Sequence, residues 1–339
     1  MQKRITLAAA GALVLAATGV VSASAHGGQH GGQDRGQNTA QGSAQDTRQN
    51  AGHDRTHQHG GGQGGSTVTG AAPRAGVVTF VVRATGDQEV PTPGGPAVND
   101  PDARADGFIQ IRGDRITYAL RWKGTVPSLG HIHQGAAGTN GPLKAMLFGS
   151  AMPDSVSRAA GHVTETNAPL AAAIRENPGG YYVNLHSAEY PGGAARGRLK
   201  PAKGNSDPLG ILRSGPLTAL SNGEQEVPKT DASKVGDPDG HALTTLDPRG
   251  TRVGYSLAWS RIQAPTLGHV HRGAFGTNGE VVLDFFDRPV PDGVFAVAGR
   301  LTGQNPATLQ RIRANPGDYY SNLHNPEYAD GAVRGQFVG

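Results

Sequence analysis

No cysteine occurs anywhere in the 339 residues, and aromatic side chains make up only 5% of them. The first absence excludes disulfides, thiolate metal sites and cysteine nucleophiles, which leaves histidine, carboxylate, hydroxyl and backbone chemistry. A surplus of one charge is missing too. The formal net charge is +4, and two of those positives are Lys3 and Arg4 at the start of the chain. The other lysines and arginines are scattered, with no basic run interleaved with aromatics, and this excludes a nucleic-acid partner. Beyond residue 25 no stretch is apolar enough to cross a bilayer.

The one long apolar run lies at the N-terminus. A short basic end, an apolar run from Ile5 and the small residues Ala23-Ser24-Ala25 form the pattern of a secretory signal peptide over residues 1–25. The expectation is an exported, secreted protein with no membrane span once this segment is cleaved. Residues 26–75 are dominated by Gly, Gln, Ser, Asn, Thr and His, with almost nothing large and apolar to bury. Such a stretch reads as a disordered tether, because burial cannot offset its ordering entropy. Its histidines, His26, His30, His53, His57 and His59, read either as part of a solvated linker or as loose captors of a transition metal. Cleavage after Ala25 would make His26 the new N-terminus, where amine and ring nitrogen together chelate copper.

The rest is an internal duplication. "GDQEVP" at 86–91 returns as "GEQEVP" at 223–228, "GHIHQGAAGTNGP" at 130–142 as "GHVHRGAFGTNGE" at 268–280, and "NPGGYYVNLHSAEYPGGAARGRL" at 177–199 as "NPGDYYSNLHNPEYADGAVRGQF" at 315–337. Domains are expected at 76–202 and 213–339, joined by a Pro- and Gly-rich linker at 203–212. Within each copy, short β-branched or aromatic runs bounded by Gly, Pro, Asn or Asp predict strands. Only "NAPLAAAIREN" and "NPATLQRIRAN" read as helices. The fold class is therefore all-β: two tandem antiparallel β-sandwiches, Greek-key-like, each with one short helix.

On a strand, alternate residues share a face, so His131 and His133 project together while Ile132 turns toward the core. His186 ends another predicted strand, and His269, His271 and His324 take the same places in the second copy. One reading makes the histidines structural. The other makes each set of three a metal site, whose nitrogen-only donors suit copper, or zinc as the alternative, better than oxygen-seeking calcium or magnesium. His162 and His241 have no histidine counterpart and read as incidental. The glycine-rich segment after each pair lacks a phosphate-loop lysine and reads as a tight turn. Glu89 and Glu226, one per copy, read as loop caps rather than a catalytic dyad. In the second copy Arg272 follows His271, which predicts weaker metal affinity unless strand alternation turns it away.

At these motifs the sequence resembles the CHRD domain, named from chordin and found in bacterial secreted proteins. Its pattern is an opening E-V-P, then G-H-[IV]-H-x-G, N-L-H and a closing R-G. The matching residues are Glu89, His131, His133, Asn184, His186 and Arg196, and then Glu226, His269, His271, Asn322, His324 and Arg334. The resemblance implies a β-rich extracellular module. A weaker likeness to the copper-binding sandwich of copper/zinc superoxide dismutases implies that each three-histidine set ligates copper, with Arg196 and Arg334 near an open face to attract an anion. That family's bridging histidine and disulfide cysteines have no counterpart here, so a zinc subsite is not carried over. Three functions follow as expectations. The first is metal binding outside the cytoplasm. The second is an interaction module, with structural histidines, presenting its loops to an extracellular protein or matrix polymer. The third is dismutase-like redox activity.

Overall fold

The computed structural model describes residues 76–163, 168–212, 215–286 and 288–339. The signal segment, the tether and His26 lie outside them. The first copy runs β1 (Val78–Thr85), β2 (Arg104–Arg112), β3 (Arg115–Lys123), β4 (Leu129–Gln134), β5 (Leu143–Phe148), β6 (Val156–His162), α1 (Ala168–Glu176), β7 (Tyr181–His186), β8 (Ala195–Arg198) and the short β9 (Lys200–Pro201). The second repeats it as β10 (Leu217–Asn222), β11 (His241–Arg249), β12 (Arg252–Ser260), β13 (Leu267–Arg272), β14 (Val281–Phe286), β15 (Val294–Leu301), α2 (Pro306–Ala314), β16 (Tyr319–His324) and β17 (Val333–Val338).

Every pairing between these strands is antiparallel. In the first copy the order is β6-β3-β2-β1-β8-β7-β4-β5, with β9 continuing β8 along β1. The chain leaves β3 for β4, returns from β5 to β6 and crosses again to β7, so its connections are of Greek-key type. Period-two burial builds the core. Phe80, Val82, Ile109, Tyr118, Leu120, Ile132, Leu147, Val183 and Leu185 are all at most 2% exposed. α2 starts where Asn305 accepts from the backbone N–H of Ala307 and Thr308, at 2.9 and 3.3 Å.

β3 breaks the alternation, since Ile116 to Leu120 are buried without interruption. The reason is that its outer face is covered as well. β6 pairs with β15 of the second copy, setting Ala160 against Ala296 and Ala159 against Val297. Ile211, in the linker, lies over Ala119, Ala160 and Ala296. It is held by a hydrogen bond from Arg158 to its carbonyl, while Gln110 donates to the carbonyl of Ser206 at 2.8 Å. Small residues on the seam let backbone approach backbone, and the two copies share one continuous sheet. His162 belongs to this seam. Its Nδ1 lies 3.0 Å from Thr117 Oγ1 and its ring rests on Phe295.

The seam leaves a chemical asymmetry. Ser155 of the first copy reaches across to the second, donates to the carbonyl of Phe285 and accepts from the Tyr255 hydroxyl at 2.8 Å. The equivalent of Ser155 is Gly293, and the equivalent buried hydroxyl, Tyr118, has no hydrogen-bond partner among the described residues. Tyr118→Phe is therefore expected to stabilise the protein by about 1 kcal/mol, because it removes an unsatisfied polar group. Tyr255→Phe is expected to destabilise by a similar amount. Paired thermal melts check the signs, and equal shifts for both variants would refute this account.

Candidate metal centre

Each candidate centre is built on the outer face of the β5-β4-β7-β8 layer or its repeat. Ile132, 0% exposed, points into the core, which sends His131 and His133 outward beneath the loops. β7 pairs with β4 so that Asn184 faces His131, Tyr182 faces His133 and His186 faces Leu129. This register brings the third histidine to the first two. Ligand nitrogens of His131, His133 and His186 all lie within 4.8 Å of one another, and those of His269, His271 and His324 do the same. Nδ1 of His131 is 3.1 Å from Nε2 of His186, and the second copy repeats the contact at 3.3 Å.

Backbone carbonyls set the tautomers. Nδ1–H of His133 donates to the carbonyl of Gly141 at 3.0 Å, and that of His186 donates to Pro191 at 2.9 Å. His271 and His324 donate likewise to Gly279 and Ala329, both at 2.9 Å. A carbonyl can only accept, so these four rings carry their proton on Nδ1 and turn an Nε2 lone pair into the cluster. Gly141 and Gly279 are required here, since a Cβ on either would collide with the carbonyl of Gln134 or Arg272. Nε2 of His133 and of His271 is buried with no hydrogen-bond partner among the described residues. Burial, followed by the neighbouring imidazoles, holds His131 and His269 down at about 4. The other shifted rings, His133, His271 and His324, are lowered mainly by burial. All five are neutral, and hence competent as ligands, at neutral pH.

Arg196 and Arg334 do not stand at an open face, which corrects the expectation drawn from the dismutase likeness. They are 2% and 1% exposed. Each guanidinium lies 3.5 Å from the ring centroid of Tyr182 or Tyr320, and the far side of the tyrosine stacks on His133 or His271. Arg196 donates to Asn140 Oδ1 at 3.0 Å and to the carbonyl of Thr139. Arg334 binds Asn278 and Thr277 in the same way. These arginines clamp the glycine-rich turn to the sheet. The predicted tight turn is present, with Gly138 and Gly276 at positive φ. Tyr182, Tyr320, Asn140 and Asn278 escaped the sequence reading, although all recur in both copies. Arg272 is exposed, and the cations that lower His271 are Lys229 and Arg334 instead.

Glu89 and Glu226 do not cap loops with their side chains. Each accepts from an asparagine on the floor of the site, Glu89 from Asn184 at 3.3 Å and Glu226 from Asn322 at 3.2 Å. Burial pushes both carboxyls up to about 7, against the pull of Arg196 and Asn184 in one copy and of Arg334, Asn322 and Lys229 in the other. In each pair the second carboxyl oxygen and the amide oxygen lack a donor among the described residues, and a proton on the carboxyl would supply one. A folded-state value above the ordinary 4.5 means that this stability is fully present below 4.5 and is lost as pH rises through about 7. The Glu89→Gln, Glu226→Gln protein is expected to flatten the melting temperature between those limits and to melt higher than the natural chain at pH 8. An unchanged pH slope would contradict this assignment.

Comparison with known families matches the CHRD domain twice, over residues 80–199 and 217–337. No curated protein matches the chain.

Proposed function

The chain belongs to the CHRD-domain family, and on that premise we propose that it binds two transition-metal ions, one on each three-histidine cluster, with copper favoured over zinc. The observation that carries this reading is the buried, partnerless Nε2 of His133 and His271, each facing two further imidazole nitrogens. A buried acceptor without a donor is costly, and a cation that took the place of the proton between the first and third rings would answer it together with their nitrogens. Three neutral nitrogens would leave a bound ion its full charge. At such a site copper(II) outranks zinc in intrinsic affinity. The backbone carbonyls behind His133 and His186 supply the outer support that fixes ring orientation in metal sites.

The role that fits is holding or buffering metal outside the cytoplasm, in keeping with the export pattern of residues 1–25. The test is metal analysis of the full chain after loading with copper(II) and dialysis, beside His131→Ala and His269→Ala. Each substitution is expected to remove one ion per chain. Equal metal content in all three proteins would overturn the reading.

A further inference from the structure

The two clusters share donors and geometry, but their supports differ at one position. A ligating imidazole has a second nitrogen facing away from the metal, and what that nitrogen meets fixes the ring's rotation and tautomer. Four of the six rings settle this with a backbone carbonyl, as described above. In the first histidine of each pair it is Nδ1 that faces the third ring, so Nδ1 would be the donor to a metal and Nε2 the outward nitrogen. In the second copy that atom lies 3.5 Å from Asp284 Oδ1. In the first copy nothing among the described residues meets Nε2 of His131. The cause is a single difference on the neighbouring strand: β14 sets Asp284 opposite His269, whereas β5 sets Met146 opposite His131. Both side chains stand on the outer face and are exposed.

We propose that Asp284 is a positioning residue that makes the second cluster the tighter metal site, and that Met146 leaves the first cluster weaker and quicker to exchange. This rests on the metal-binding reading. Charge does not decide the comparison. The Asp284 side chain is 67% exposed and Lys229, the cation on that side, is exposed as well, so both fields are screened. Orientation survives screening: with Asp284 Oδ1 closing on Nε2 from its 3.5 Å ion-pair distance, that nitrogen would keep the proton and leave the Nδ1 lone pair for the metal. Losing such an outer partner lowers metal affinity roughly 10- to 100-fold. The chain would therefore fill its second cluster first and release metal first from the other.

The test isolates each cluster in the full chain. His131→Ala leaves the second cluster and His269→Ala the first, and zinc(II) affinity is read by competition with a chromophoric chelator. In the His131→Ala background, Asp284→Met is expected to weaken zinc roughly 10- to 100-fold. Asp284→Asn, which keeps an accepting oxygen, should stay near the parent. In the His269→Ala background, Met146→Asp is expected to tighten binding by a comparable factor. If Asp284→Asn loses as much as Asp284→Met, the effect is one of charge and the positioning role is refuted. If both backgrounds bind zinc but neither Asp284→Met nor Met146→Asp moves it more than about twofold, well under the expected loss, the proposal fails while the metal reading stands. Zinc binding that is indifferent to all the histidines overturns both.

Discussion

Copper(II) is expected to raise the melting temperature of the natural chain, and the His131→Ala, His269→Ala protein to lose that response. A ligand that binds the native state alone, at a free concentration about 100 times its dissociation constant, adds about 2.7 kcal/mol per site. Two sites on one continuous sheet then add about 5 kcal/mol, or roughly 10 to 20 °C for a body of this size. Each single variant should keep about half the shift. Each protein serves as its own metal-free reference, because His131 is buried beneath the loops and truncating it removes packing whether or not metal is present. Histidines before residue 76 are the same in every variant, so the difference between proteins reports the two clusters. Thermal melts with and without copper decide it, and equal shifts in the natural chain and the double variant would refute a site at these residues.

Much of this geometry was legible in the sequence, for physical reasons that differ by residue. The shared direction of His131 and His133 follows from strand alternation around Ile132, and the repeat marked His186 as their companion. The seam was harder to see. β6, with the sequence VSRAAGH, is poor in the β-branched and aromatic residues that announce a strand, and it persists because β3 and β15 pair with it on both sides. The arginines misled for another reason. An arginine near the end of a β-rich domain reads as surface charge, and its burial depends on Tyr182, which reaches it only through the register of β7 and β8. Nor could pattern alone show that the carbonyls of Gly141 and Pro191 would set the protons of His133 and His186, since loop closure decides where a carbonyl points. The same holds for Asp284 against Met146, a single change between the copies whose meaning appears only once β14 and β5 are placed beside the histidines.

Arg196→Met is expected to lower the stability of the first copy by about 3 kcal/mol or more, because the guanidinium is buried. Methionine keeps the apolar stem of the side chain but leaves Asn140 Oδ1 and the carbonyl of Thr139 without their donor. It also takes a positive charge from beside the buried Glu89 carboxyl. At 2 to 4 °C per kcal/mol this is a drop of roughly 10 °C. Arg196→Lys should recover only part of it, because an ammonium cannot stack flat on Tyr182 while donating in two directions. The turn at 135–142 carries the Gly141 carbonyl that orients His133, so its amides should exchange faster in Arg196→Met. Metal affinity should fall at the first cluster and hold at the second, where Arg334 clamps its own turn. Hydrogen exchange and site-resolved metal titration separate this from global loosening. An Arg196→Met protein that melts within about 2 °C of the natural chain, less than 1 kcal/mol, would mean that the clamp carries no stability, and the turn would then have to be held by the Tyr182 hydroxyl, which accepts from the Gly141 N–H at 3.1 Å.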